Sequence, residues 1–241
     1  ILFTSLATNL GPTDTNGFQD LYMKDVNTGV VTLVSQLSTG VQADNESTRT
    51  GFNGRIMAKF VGGDNTKVLF SSKATNFVTP DDNNAGANTS NILGNDLFIK
   101  DLVTGTITRV NTGSAGQQAN YNIRIGDVSN DGTKVLFVTQ ASNLIDPLNS
   151  TVNTVAQLYV KDLVTGTVTL ISTPNGSTLA DQESYNPIFT ADGTRVIFRT
   201  AATNLGAGST AGSDMLMYDL NTNQLIQLNT TSAGVASDGN T

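Results

Sequence analysis

The chain contains no cysteine, no histidine and no tryptophan. Without cysteine there is no disulfide framework and no thiolate nucleophile. Without histidine as well, a zinc site of the usual kind and a histidine-based triad are excluded. The missing cysteine does not assign a compartment, since many exported bacterial proteins also lack it. Charge is scarce too, at 14% of residues, and 20 acidic against 13 basic residues leave a net charge of −7. A nucleic-acid partner needs a basic patch and is not expected. The acidic balance suits solubility and cation binding. No apolar run approaches the roughly 18 to 20 residues that span a bilayer, so no membrane insertion is expected. The opening "ILFTS" (1–5) reads as the middle of a strand and follows neither a signal peptide nor an initiator methionine. Residue 1 is therefore expected not to be the biological start, which leaves room for a leader and further repeats.

What the chain does hold is repetition. Its 241 residues suit one large all-β domain. Thr, Asn, Ser, Gly and Asp fill the space left by few charges, and these favour turns and strand surfaces over helix interiors. "ILFTSLATNL" (1–10) returns as "VLFSSKATNF" (68–77), "VLFVTQASNL" (135–144) and "VIFRTAATNL" (196–205). After each comes a second run, "DLYMKDVNTG" (20–29), "DLFIKDLVTG" (96–105), "QLYVKDLVTG" (157–166) or "DMLMYDLNTN" (214–223). A third follows directly, as in "VVTLVS" (30–35), and a fourth precedes the next cycle at 58–67, 126–134 and 187–195.

Each run is short, β-branched or aromatic, and bounded by turn residues, while no segment holds a helical period. Asn27-Thr28-Gly29, Thr104-Gly105 and Thr165-Gly166 predict tight hairpins between second and third strands. Asp131-Gly132 and Asp192-Gly193 predict them between fourth and first, because glycine accepts positive φ. In "DLYMKD" the alternation puts Leu21 and Met23 on one face, Tyr22 and Lys24 on the other. The expected fold is all-β: a β-propeller of four-stranded antiparallel blades beginning near residues 1, 68, 135 and 196. Four blades are visible and one is incomplete, because only three copies of the fourth, inner run exist. Residues 1–241 read as a single propeller domain or a fragment of one. The tail "VASDGNT" either completes the missing inner strand beside "ILF" or is a polar loop like "STGVQADNEST" (38–48).

Asp131, Gly132, Lys134, Val135 and Phe137 in one copy form the pattern D-G-x-K-V-x-F. Ala7, Thr8, Asn9, Leu10, Asp14, Asn16, Gly17, Asp20, Leu21, Tyr22, Lys24, Asp25, Thr28 and Gly29 carry the rest in another. This pattern resembles TolB-like, WD-like propeller repeats of the long-repeat type common in large exported bacterial proteins. The resemblance covers nearly the whole chain and implies the fold. It implies little about activity, because propellers host enzymes, binding modules and scaffolds alike.

The loop "GPTDTNGFQD" (11–20) is the leading metal candidate. Calcium takes oxygen ligands from flexible loops, and Asp14, Asn16 and Asp20 supply two carboxylates and an amide oxygen beside Gly17. The competing reading is an Asx-turn, in which the same side chains bond their own backbone. Asp81, Asp82 and Asp96 form the corresponding candidate set in the second repeat, whereas the third and fourth loops lose most acidic positions. Asn9, Asn76, Asn143 and Asn204 share one repeat position, which points to backbone satisfaction. Lys24, Lys100 and Lys161, with Asp25, Asp101 and Asp162, read as strand-edge charges. Sequons at Asn45, Asn88, Asn149, Asn175 and Asn229 permit glycosylation without implying it.

A catalytic role is not expected: no phosphate-cradling loop or serine elbow occurs, and Asp127, Glu183 and Arg124 are the sole candidates for a channel site. The expected function is a non-catalytic binding or scaffolding module of an exported or cell-surface bacterial protein, with Ca2+ as a candidate stabilising ion. A protein partner or self-assembly is expected before a surface polysaccharide, because aromatic stacking residues are few. Two alternatives stay open: a hydrolase or lyase with carboxylates at a central channel, and a structural subunit of a filament or surface layer.

Overall fold

The computed structural model describes residues 1–11, 13–47, 58–79, 95–145, 155–206, 213–233 and 235, with the side chains of 124–126 left aside. Its regular elements are strands: β1 (Leu2–Ser5), β2 (Asp20–Lys24), β3 (Val31–Leu33), β4 (Ala58–Val61), β5 (Lys67–Ser72), β6 (Asp96–Asp101), β7 (Ile107–Arg109) and β8 (Ile123–Val128). They continue with β9 (Lys134–Thr139), β10 (Gln157–Asp162), β11 (Val168–Leu170), β12 (Ser184–Phe189), β13 (Arg195–Thr200), β14 (Asp214–Asp219) and β15 (Gln224–Gln227). No helix occurs among the described residues.

The strands form four antiparallel meanders. One sheet has three strands, β1-β2-β3, and three have four: β4-β5-β6-β7, β8-β9-β10-β11 and β12-β13-β14-β15. These are β-propeller blades, numbered here one to four, and among the described residues blade one has three strands. The residues fall into two compact units, Ile1–Asn111 with Asn122–Ile125, and Thr112–Tyr121 with Gly126–Thr241.

The hairpins form where the sequence put them. Between second and third strands, Asp25, Asp101, Asp162 and Asp219 each accept two backbone N–H groups of their own turn, at 2.8 to 3.2 Å. The turn ends on a residue at positive φ: Gly29 (+76°), Gly105 (+75°), Gly166 (+77°) or Asn223 (+56°). Gly105 has a second reason to be glycine, because a Cβ there would stand 2.8 Å from the Ser38 Cβ. The aspartates are thus turn caps and not the strand-edge charges the sequence suggested. Those backbone N–H bonds hold the carboxyls of Asp25, Asp101 and Asp162 below the usual range.

Period-2 alternation does not sort the second strands into a wet and a dry face. Leu21 and Tyr22 are both fully buried, as are Leu97 and Phe98, and Leu158 and Tyr159. Sheets covered on both faces lose the polar-out pattern. In the first unit the core centres on Phe70, Phe77 and Phe98, whose ring centroids lie 5.4 to 5.9 Å apart. Leu21, Val34, Ala43 and Ile107 close around them. In the second unit Phe137 stacks on Tyr159 at 5.9 Å.

Candidate functional site

A polar latch recurs in every blade. The first residue of the second strand meets the residue that follows the third-strand region: Ser35 Oγ donates to Asp20 Oδ1 (2.6 Å), and Asn111 Nδ2 to Asp96 Oδ1 (2.6 Å). Ser172 Oγ donates to Gln157 Oε1 (2.8 Å), and Asn229 Nδ2 to Asp214 Oδ1 (3.0 Å). The Ser or Asn oxygen in turn accepts the N–H of Leu21, Leu97, Leu158 or Met215. Asp20 and Asp96, both metal candidates from sequence, therefore have a structural role that Gln157 performs equally well without a charge. In blade two the latch is ionic: Arg109 Nε lies 3.2 Å from Asp96 Oδ2, both side chains are buried, and the guanidinium sits over the Phe98 ring.

The loop of blade one contains the Asx-turns of the competing reading. Asp14 Oδ1 accepts the Asn16 N–H (3.0 Å) and Asn16 Oδ1 accepts the Phe18 N–H (2.7 Å), two successive Asx-turns, with Gly17 at φ +72°. Asn16 Nδ2 donates to Asp20 Oδ2 (2.9 Å) and to the Ala43 carbonyl (3.1 Å). Gln42 clamps the loop from outside, accepting from Thr15 N (2.9 Å) and donating to the Thr13 carbonyl (2.8 Å). Asp14, Asn16 and Asp20 are thus brought together, as their spacing implied. Asp14 is only 7% exposed, and its Oδ2 is buried without a hydrogen-bond partner among the described residues. Burial pushes the Asp20 carboxyl up against the bonds from Ser35 and Asn16, and the Asp14 charge adds to the rise. The Tyr22 hydroxyl beside them is raised by burial and by both carboxylates. Among the described residues no group of three or more Asp or Glu side chains forms a ready metal cage. Asp81 and Asp82 lie outside the described residues.

Lys100 and Lys161 were expected at strand edges, but they are buried. Lys100 Nζ donates to the Gln36 carbonyl, and Lys161 Nζ to the Thr112 carbonyl and hydroxyl, so each ties its blade to the preceding repeat's turn. Desolvation lowers the Lys100 ammonium from its ordinary 10.5 to about 8. Between those pH values the folded chain binds fewer protons here than the unfolded chain, so stability rises with pH across that window. Urea unfolding at both ends of it is expected to show this rise in the wild type and a smaller one in Lys100→Met, where the likewise lowered Lys161 remains. Equal slopes in the two proteins would mean the ammonium stays charged in the fold.

Asp127 and Glu183, the channel candidates, do not stand level. The backbone N–H groups of Ser129 and Thr190 accept the same role, each donating to the carbonyl at the start of the following strand (both 2.9 Å), which fixes them as equivalent. Asp127 precedes Ser129 by two residues and Glu183 precedes Thr190 by seven. The offset of five residues, one of them taken up by the bulge between Tyr185 and Ile188, is on the order of 13 Å of strand rise, beyond the roughly 5 to 9.5 Å at which paired carboxylates cleave glycosidic bonds. The Arg124 side chain lies outside the described ones.

No protein-family model matches the chain, and no curated protein is significantly similar to it in sequence. Solved structures resemble it in chain path. The tricorn protease is 14% identical with a TM-score of 0.47, over 88% of this chain and 15% of that one. A prolyl endopeptidase is 9% identical with a TM-score of 0.48, over 87% and 22%. An oligogalacturonate lyase from Vibrio parahaemolyticus is 12% identical with a TM-score of 0.44, over 92% and 64%. The chain spans less than two thirds of the length of each of these proteins.

Proposed function

We propose that the chain is a non-catalytic binding or scaffolding module, built of TolB-like, WD-like propeller repeats, from an exported or cell-surface bacterial protein. The observation that carries this reading is the fourfold latch. Its buried polar side chains hold each blade together and occupy the same place in all four, as parts of a scaffold do. The offset of Asp127 and Glu183 supports it against a channel-centred hydrolase or lyase. Partners then meet exposed loops carried on rigid sheets, a protein surface being favoured over a polysaccharide. The site of action is the cell exterior or surface, with the periplasm as the other exported compartment. The test is turnover of polysaccharide and peptide panels by the wild type and by Asp127→Asn and Glu183→Gln. The expected result is none; turnover that either variant abolishes would overturn the reading.

Calcium is part of the same proposal. The buried Asp14 Oδ2, without a hydrogen-bond partner among the described residues, supports a cation site with Asp20; the Asn16 amide, which turns its Nδ2 to Asp20, would have to rotate to offer its oxygen. A divalent cation there would offset the burial, and the lesser repulsion from Asp14, that raise the Asp20 carboxyl. In blade two Arg109 already supplies positive charge to Asp96, which leaves the blade-one loop as the better site. Calcium at about 100 times its dissociation constant is expected to add roughly 2.7 kcal/mol of stability, read as a rise in thermal midpoint that chelator reverses. Asp14→Ala should remove the rise. Lowering the pH through the raised Asp20 value should weaken it, since a protonated carboxyl is a poor ligand. An identical midpoint with calcium and with chelator would leave the loop as two Asx-turns.

A further inference from the structure

Contacts that tie blades two and three to the preceding turn are missing in blade four. Lys100 and Lys161 bond the carbonyls of Gln36 and Thr112, which directly follow the latch residues Ser35 and Asn111. In blade four the same strand position holds Tyr218, and the matching turn residue is Thr173. Tyr218 is 3% exposed, and its hydroxyl donates to Asn223 Oδ1 of its own hairpin at 3.4 Å. In blade three the Val168 N–H also donates to Ser114 Oγ of the preceding turn (2.9 Å). The corresponding residues in blade four, Leu225 and Asn175, are not bonded to each other.

The turn itself is built differently. In the first two copies Leu37 N donates to Val41 O and Gly113 N to Gln117 O, both at 2.8 Å. Pro174 holds that position in the third copy and has no N–H to give. The chain closes on side chains instead. Thr173 Oγ1 accepts the N–H groups of Asn175 (3.3 Å) and Gly176 (2.8 Å), and Asn175 Oδ1 accepts those of Ser177 (3.0 Å) and Thr178 (2.8 Å). Between this turn and the blade-four hairpin lies a cleft of about 400 Å³, near the lower end of the roughly 300 to 1,000 Å³ of small-molecule sites. Buried Val168, Leu170 and Tyr218 line it, with Thr169 and the exposed Asn175 and Asn223. Among the described residues no charged side chain lines it. The Nδ2 groups of both asparagines make no hydrogen bond among the described residues.

We propose that this cleft binds one neutral sugar unit of a glycan. The site rests on the binding-module reading and adds a ligand to it. An ionised group would enter the cleft without a counter-charge, at a desolvation cost nothing there offsets, so the ligand is uncharged. The two free amide Nδ2 groups donate, and the Thr169 hydroxyl both donates and accepts. Sugar hydroxyls and ring oxygens offer the matching groups around one edge. The C–H surface of the same ring lies on Val168, Leu170 and Tyr218, which supply an apolar patch. The scarcity of aromatic residues weighs against a broad stacking platform on the exposed loops, where a protein partner is favoured. A cleft that holds a single ring needs no such platform.

Saturation-transfer NMR on the 241-residue chain tests this, with trisaccharides of glucose, mannose and galactose set against those of galacturonic acid and glucosamine. At least one neutral trisaccharide should bind with a dissociation constant on the order of 1 mM, and the charged ones at least about tenfold more weakly. Asn223→Gly places there the residue that Gly29, Gly105 and Gly166 already are at positive φ, so the hairpin is kept. It should weaken binding at least about tenfold with the thermal midpoint unmoved. Tyr218→Lys rebuilds the arrangement of blades two and three and should abolish binding. No binding by any neutral trisaccharide overturns the proposal and leaves the binding-module reading standing. Binding that neither variant weakens, or a preference for the charged trisaccharides, overturns it too. Cleavage of a trisaccharide bound in the way described would instead remove the non-catalytic reading and leave the sugar site in place.

Discussion

Phe70→Ala is expected to destabilise the first unit by about 3 to 5 kcal/mol, while Phe3→Ala, at the same repeat position in blade one, costs less than half as much. Phe70 is fully buried and packs its ring against both Phe77 and Phe98. Deleting it removes the transfer term and opens a cavity that the two remaining rings, one on β6 and one in the segment after β5, fill poorly. Phe3 stacks on Tyr22 at 5.7 Å but keeps part of its surface in water, so less is lost. The comparison separates burial from residue type, since both are phenylalanines on first strands. Urea midpoints with unchanged m-values give the answer. Equal losses would mean that blade one is as well covered in solution as blade two.

Asp96→Ala should cost more than the same change at Asp20, because breaking a buried ion pair costs up to about 3 to 5 kcal/mol. Arg109 loses a buried carboxylate at 3.2 Å and Asn111 loses an acceptor. The same change at Asp20 strands only neutral donors, Ser35 and Asn16, and is expected to cost about 1 to 3 kcal/mol. Adding Arg109→Met to Asp96→Asn should recover most of the loss, because the charge and its counter-charge leave together. An Asp96→Ala protein no less stable than Asp20→Ala would show that the guanidinium does not depend on Asp96.

The two variants also bear on how the acidic residues divide. Spacing alone made Asp14, Asn16 and Asp20 look like one ligand set, and they do converge. Their roles differ, however. Asp20 is the blade-one copy of a latch whose other copies include a neutral glutamine, Gln157, and of the three residues Asp14 alone keeps a buried oxygen without a hydrogen-bond partner among the described residues. The latch pairs residues 15 positions apart across a hairpin. Its signal in the sequence was a Ser or Asn after each third strand, at Ser35, Asn111, Ser172 and Asn229, aligned across the repeats.

The strands, their hairpins and the count of blades were settled by the sequence itself, because those features are local. Gly29, Gly105 and Gly166 permit positive φ, and Asp25, Asp101 and Asp162 cap turns within their own few residues. The repetition of these signals in register then fixed the all-β propeller blades. Tertiary structure alone decided which charges are buried. Lys24, Lys100 and Lys161 are indistinguishable in their repeats, yet one stays in water and two are desolvated. Their acceptors, Gln36 and Thr112, belong to the preceding repeat, 64 and 49 residues earlier in the chain. A side chain's environment depends on what packs against it, and no local pattern encodes a neighbour that far away.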